Sequence, residues 1–445
     1  MAAASTSRTD RRDHRCVLRP RGVGTRQLTN QAVTSHARCN GEDRRHKGMV
    51  SGSDGRTLSD PVRGTRPANR RQLILRAAAD LFYEKGYAKV GMGDVAEAVA
   101  IGPSALYRHF RGKQDLLATV VNEALTTLDD ALATATADNL IAGVVAATLE
   151  NRRIGVLVRR ESRQLPVDDR AAIRVTIKHI GARFAELVGE RRPELDAAES
   201  DLLAWCALAA GNSLSFHSLS LPEPGFSTLI EKLATTIVDA PIALPDRSAD
   251  PTARPGFLTR QSRREAILAE ATRLFARNGF AGVSMEDIGA GVGISGPSVY
   301  NHFPAKSDIL VAAMFRGDEW MQMEMNRTLA QAMDARDGLL RLLRSYSAFA
   351  FENPDLVQLL VSESMHLPDA DRHKARAAQH SYIAEWVYLA TRVHPGWDPV
   401  SARIRVQAVQ TMMNDIALMP RLQTRPGVDA ALLEIGARLL EIADG

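Results

Sequence analysis

Ala105–Lys113 reads ALYRHFRGK, and Ser298–Lys306 reads SVYNHFPAK. Both carry the order Tyr-x-His-Phe-x-x-Lys, and they lie 193 residues apart in a chain of 445. The repeat runs outward from there. At the same offset Arg70, Arg71, Leu75, Phe82, Gly86, Asp94, Val99 and Ile101 meet Arg263, Arg264, Leu268, Phe275, Gly279, Asp287, Val292 and Ile294. Further on the offset becomes 202, so that Glu150, Asn151, Glu161, Leu165, Pro166, Arg170 and Asn212 meet Glu352, Asn353, Glu363, Leu367, Pro368, Arg372 and Asn414. A match sustained over this length means that a whole domain is duplicated, with about nine extra residues in the second copy near its fourth helix.

Apolar residues recur at i, i+3 and i+4 from Arg70 onward, as in Leu75, Ala78 and Phe82, and no alternating strand pattern competes. The expected fold class is therefore all-α. Gly86 and Gly279 stand where the first helix of each copy must stop. Helices are expected over Arg70–Lys85, Met92–Val99 and Pro103–His109, with another from Lys113. The three-residue link between the second and third is helix-turn-helix spacing, which braces one helix so that the next can enter a major groove. Three prolines between Leu244 and Phe257 mark a linker.

The domain reading is a disordered basic tail at 1–66, a first helix-turn-helix domain at 67–117 and a first helical body at 118–243. A linker at 244–258, a second helix-turn-helix domain at 259–310 and a second body at 311–445 follow. The tail is either a solvated extension, with Met49 an alternative start, or a basic arm that adds contacts to phosphates.

The net charge of +4 is unevenly spread: residues 1–69 hold 14 Lys/Arg against 6 Asp/Glu, leaving 42 against 46 for the rest. Within the folded part, positive charge gathers at Arg70–Lys113, with 8 basic and 4 acidic residues, and at Thr259–Lys306, with 6 and 4. Double-stranded DNA is the partner this suggests. The three cysteines, Cys16, Cys39 and Cys206, show no C-x-x-C spacing and argue against a metal or disulfide scaffold. No apolar run is long enough for a membrane span. The expectation is a cytoplasmic, nucleoid-associated protein with no cofactor, no metal and no membrane partner. No G-x-S-x-G, H-E-x-x-H, Walker or dinucleotide glycine pattern is found in helical context, so an enzyme is not expected.

Candidate DNA-contacting residues in the first copy are Arg70, Arg71, Ser104, Ala105, Tyr107, Arg108, His109 and Lys113. In the second they are Ser284, Ser295, Pro297, Ser298, Tyr300, Asn301, His302 and Lys306. Short or planar polar groups suit base edges and phosphates, and a lysine opening the next helix can reach a phosphate. Leu106 and Phe110, like Val299 and Phe303, are expected to face inward. The competing reading puts the tyrosines and histidines in the core of a three-helix head.

AIGPSALYRHFRGKQDLL and GISGPSVYNHFPAKSDIL resemble the recognition-helix signature of TetR-family repressors. The resemblance covers both DNA-binding segments closely and the following helices weakly. Tandem units in one chain are similar to the mycobacterial double-TetR regulators, such as the repressor of a mammalian-cell-entry operon. It implies a sequence-specific, ligand-responsive repressor of two tandem TetR-like units, each a three-helix DNA-binding domain with a ligand-binding and dimerisation bundle. A small-molecule effector follows from it, a lipid or acyl-thioester through the subgroup, together with an intrachain pseudo-dimer or a homodimer. A homodimer reads a palindrome, while one chain with two unequal readers should prefer an asymmetric operator. Readings kept open are an activator, and a regulator whose second unit alone reads DNA.

The family's last two helices dimerise, which implies Glu199–Leu219 with Ser227–Asp239 and Val400–Met419 with Val428–Ala443. Gly293 sits at the family's turn glycine, where the first copy has Ala100. Ser284 can cap the second helix, where the first copy has Gly91. Candidate effector-lining residues are Glu161, Phe184, Trp205, Phe349, Glu363 and Trp386, with salt bridges from Arg170 and Arg372 as the alternative explanation of the two glutamates.

Overall fold

The computed structural model describes residues 70–245 and 262–443; the expected tail and nearly all of the expected linker lie outside them. Among the described residues every regular element is a helix. The first copy begins with a head of α1 (Arg70–Lys85), α2 (Met92–Ala98) and α3 (Pro103–Leu106). Its body is α4 (Lys113–Ala133), α5 (Leu140–Glu150), the short α6 (Ile154–Val156), α7 (Val167–Arg191), α8 (Ala197–Asn212) and α9 (Gly225–Val238).

The second head is α10 (Arg263–Asn278), α11 (Met285–Gly291) and α12 (Gly296–Val299). Its body is α13 (Lys306–Leu329), α14 (Ala335–Glu352), α15 (Pro354–Ser362), α16 (Asp369–Val393), α17 (Pro399–Ala417), α18 (Pro420–Gln423) and α19 (Val428–Leu439). The extra residues lengthen α13 to 24 residues against 21 in α4, and α14 to 18 against 11 in α5.

Local signals explain the boundaries. Gly86 and Gly279 take φ of 80° and 74°, left-handed values that stop α1 and α10 at no steric cost to glycine. Asp196 caps α8 by accepting the N–H groups of Ala198 at 2.8 Å and Glu199 at 2.7 Å, and the Glu199 carboxylate accepts the Asp196 N–H at 2.9 Å. The third helices are shorter than expected: α3 ends at Leu106, and Tyr107–His109 continue as turns, because the chain must swing Phe110 into the core, where it is 2% exposed.

The bodies meet through α8 against α17 and α9 against α19. These helices overlap the segments that the family resemblance implies for dimerisation. Within the first body Trp205 of α8 lies on Gly181 of α7: a Cβ there would fall 2.1 Å from the indole ring, so only glycine admits this approach. Among the described residues no helix is long and apolar enough to cross a membrane.

Candidate nucleic-acid interface

Each head is built so that its third helix turns one side to the core and the other to water. Leu106 is fully buried and Phe110 2% exposed; Val299 and Phe303 repeat this at 0% and 1%. The helical twist then throws the intervening tyrosine outward, and Tyr107 and Tyr300 are 56% and 51% exposed. The reading that would bury the tyrosines is thereby excluded. Ser104, Arg108 and His109 are exposed in the first head, as are Ser295, Pro297 and Asn301 in the second; Ala105, Ser298 and His302 are half-buried beside them. The Ser295 and Ser298 hydroxyls are hydrogen-bonded at 2.8 Å, a pairing the first head lacks because Ala105 stands opposite Ser298.

The turn that sets the third helix differs between copies. The Ile101 N–H donates to Ala96 O and the Ile294 N–H to Gly289 O, both at 2.9 Å, and closing this turn requires a positive φ just before. Gly293 supplies it at 70°, whereas Ala100 is held at 53°, a conformation costing an L-residue about 1–2 kcal/mol. The second head is also better capped: Ser284 Oγ accepts the Asp287 N–H at 3.1 Å, and Asp287 accepts the Ser284 N–H at 2.8 Å. Those hydrogen bonds from Ser284, backbone first, hold the Asp287 carboxyl below its usual range. In the first head Gly91 offers no side chain to cap α2.

Several expected contacts are redirected. Lys113 and Lys306 do not point to the outer face. The Lys113 ammonium donates to Tyr87 O at 2.9 Å and sits over the Tyr87 ring; Lys306 donates to Phe280 O at 2.9 Å and Val283 O at 2.6 Å and sits over Phe280. Tyr87 O and Phe280 O each accept a long turn bond besides, from the Val90 N–H at 3.3 Å and the Val283 N–H at 3.4 Å, and the lysine at the start of the next helix adds a second donor. Burial lowers the Lys306 pKa, against the attraction of Asp287. Arg71 is paired with Glu123, while Arg70, half-buried, begins α1 and Ser284, exposed, caps α11.

The two matched glutamates are the larger correction. Neither lines the cavity of the second body. Glu161 and Glu363 are both 2% exposed, and each accepts the backbone N–H just past the glycine that ends the head's first helix: Tyr87 at 3.1 Å and Phe280 at 3.0 Å. They tie head to body. Arg170 and Arg372 bond elsewhere, to the carbonyls of Arg163 and Met365. Arg160 pairs with Glu161 and donates to Phe82 O at 3.0 Å and Tyr83 O at 2.9 Å. In the second copy Ser362 stands in place of Arg160, and the cation comes from the first: Arg163 pairs with Glu363 and donates to Ala276 O at 3.3 Å. Met365, matching Arg163, packs on Gly86.

Of the other expected effector residues, Phe184 and Trp386 are fully buried core, and Trp205 fills the first body, its indole donating to Asp201 at 3.1 Å. Phe349 does line a cavity of about 370 Å³ in the second body. Tyr346 and Tyr382 line it too and escaped notice, because their spacing is that of any buried helix face.

The folded residues thus form a tandem helix-turn-helix protein. The sequence profile described as "Bacterial regulatory proteins, tetR family" matches it twice, at residues 74–120 and 267–313. Both heads thus match the family's DNA-binding profile, and the chain is similar to TetR-family regulators through two tandem units. It is 30% identical over 102 residues to the HTH-type transcriptional activator FasR of Mycolicibacterium smegmatis, covering 21% of this chain and 41% of that protein. It is 30% identical over 124 residues to the nucleoid occlusion factor SlmA of Photobacterium profundum, covering 26% and 60%. The chain therefore spans less than two thirds of these relatives' own lengths. A TetR-family regulator from Bordetella parapertussis superposes with a TM-score of 0.39 at 17% identity, over 41% of this chain and 96% of that one.

Proposed function

We propose that the protein is a sequence-specific, ligand-responsive repressor, acting at the nucleoid, whose two unequal heads bind one asymmetric operator. The observation that carries this reading is the outward pair Tyr107 and Tyr300, each more than half exposed beside a buried Leu–Phe or Val–Phe anchor. A large aromatic held in water at matched positions of two heads costs apolar hydration and suits a groove. Ser104, Arg108 and His109, with Ser295, Ser298, Asn301 and His302, supply neighbouring donors and acceptors. Heads at 67–117 and 259–310, bodies at 118–243 and 311–445, and a joining segment at 244–258 complete the reading.

Pairing of the two bodies within one chain is supported by an asymmetric buried contact. Arg159 of the first copy pairs with Asp415 of the second, which also accepts from Asn212 at 2.9 Å. At the matching places across the repeat stand Val361 and Ser213. Two first bodies would set Arg159 against serine, and two second bodies would set Asp415 against valine. Each leaves a buried charge unpaired, which is costly.

The strained Ala100, the uncapped Gly91 and the missing hydroxyl at Ala105 favour a second reading, in which the second head reads sequence and the first contributes assembly and phosphate contact. The FasR relative is named an activator, so the direction of regulation is tested with a promoter reporter. The decisive experiment enriches fragments from random DNA with the purified chain and repeats it with Tyr107→Ala and Tyr300→Ala. Loss of enrichment in both variants supports two readers, loss in Tyr300→Ala alone supports the second reading, and unchanged enrichment in both refutes the interface.

A further inference from the structure

The cavity of the second body has no open counterpart in the matched residues of the first. Its wall carries the rings of Phe315, Tyr346, Phe349 and Tyr382, and among its polar residues are Asp318 and Gln410. Asp318 Oδ2 and Gln410 Nε2 are buried without any hydrogen-bond partner, and Gln410 is only 7% exposed. A buried carboxylate oxygen without a donor is expensive, so something that brings a donor or positive charge would be held there. Burial, with the nearby charge of Glu319 adding to it, pushes the Asp318 pKa up to about 6. The rim carries one charge of each sign, Glu319 and Arg376, both exposed, which leaves Asp318 to set the sign of the interior.

The same positions in the first copy are aliphatic. α4 and α13 start in register at Lys113 and Lys306, so Leu125 stands where Asp318 does. At the offset of 202, Val144, Ala147, Ile180 and Leu208 replace Tyr346, Phe349, Tyr382 and Gln410. Gly181 replaces Ile383, and the ring of Trp205, which replaces Gln407, lies on it. Leu125, Val144, Ala147 and Ile180 are all at most 6% exposed. The matched positions of the first body are thus filled with hydrocarbon, while the second keeps a space walled by aromatic rings around an unpartnered carboxylate. Tyr346 and Gln410 also face a larger cavity of about 810 Å³ that Arg159, Ser213 and His217 of the first copy line.

We propose that the cavity of the second body takes a small organic cation: an aromatic or branched alkyl group bearing one ammonium centre. This deepens, and rests on, the reading that the protein responds to a small ligand. Ring faces attract a cation within about 6 Å of their centroids, and Asp318 supplies the countercharge. A volume of about 370 Å³ falls in the range of about 300–1,000 Å³ usual for small-molecule sites. Gln410 offers a further hydrogen bond to a polar substituent.

The test is calorimetric titration of the full chain, without DNA, with benzyltrimethylammonium, 4-phenylbutanol and octanoyl-coenzyme A. Because no DNA is present, failure of operator binding would not affect the result. The cation is expected to bind with one site per chain, and Asp318→Asn is expected to weaken it about tenfold while leaving the alcohol unchanged. Should Asp318→Asn fail to fold by circular dichroism, Phe349→Leu, which removes a ring but keeps bulk, is expected to weaken the cation about fivefold. Leu125→Asn in the first body should leave cation binding as it is. No cation binding, equal binding of cation and alcohol, preference for the acyl-thioester, or two sites per chain would each overturn the proposal.

Discussion

Arg163 of the first copy holds the Glu363 carboxylate of the second, and that carboxylate accepts the Phe280 N–H at 3.0 Å. One copy therefore fastens the other's head. A head that swings for DNA must lengthen this contact or carry it along. Glu363→Gln, which keeps shape but drops the charge, should speed hydrogen exchange at the Phe280 amide, while Tyr87, held by Glu161, keeps its rate. Equal change at both amides would mean that the fastening is not local.

The exposed tyrosines give the second prediction. Tyr107→Ala and Tyr300→Ala should leave the melting temperature within about a degree, since a surface side chain contributes little to stability. Operator affinity measured by fluorescence anisotropy should fall by about 1–3 kcal/mol for Tyr300→Ala. A smaller loss is expected for Tyr107→Ala.

Ala100 offers a stabilising change. With φ at 53°, Ala100→Gly relieves left-handed strain and should raise stability by about 1 kcal/mol; Gly293→Ala, at 70°, should lower it by a similar amount. Urea unfolding of the two variants checks the opposite signs.

The buried pair across the copies predicts strong coupling. Arg159→Leu alone strands the Asp415 carboxylate, and Asp415→Leu alone strands the guanidinium, each at a cost of about 3–5 kcal/mol. The double variant should be less damaged than either. Additive losses in a double-mutant cycle would argue against a paired, desolvated contact.

His217 sets a pH dependence. Its Nε2 is buried without a partner, and burial together with Arg152 and Arg403 pushes its pKa down to about 4. The unfolded chain takes up this proton near pH 6.5 and the folded chain resists it. The contribution is therefore whole above pH 6.5 and is lost as pH falls toward 4. Asp318, raised to about 6, acts in the opposite sense over a similar window. The measurement is the difference: between pH 7.5 and pH 5, wild type should lose more melting temperature than His217→Gln.

The heads were legible in the sequence because their signals are local. Gly86 and Gly279 stop a helix, Leu106 and Phe110 fix an inward face, and the tyrosine between them has one way to point. Lys113 and Lys306 were misassigned for a related reason: residue type and position suggested a phosphate, but the loop carbonyls that capture them come 26 residues earlier for Lys113 and for Lys306 alike. Glu161 and Glu363 stood out as matched carboxylates in apolar surroundings. Their role did not, because the cation for Glu363 lies 200 residues away on the other copy. The cavity was hidden for a third reason: at helical spacing, Tyr346 and Tyr382 look like core until their neighbours leave a gap.

The central claim is that one chain, through two unlike heads, occupies one unlike pair of half-sites. Footprinting on the enriched DNA, combined with the mass of the complex in solution, tests it most directly. The account predicts a protected site whose halves differ in sequence, bound by a single chain. A perfect inverted repeat bound by two chains would contradict it.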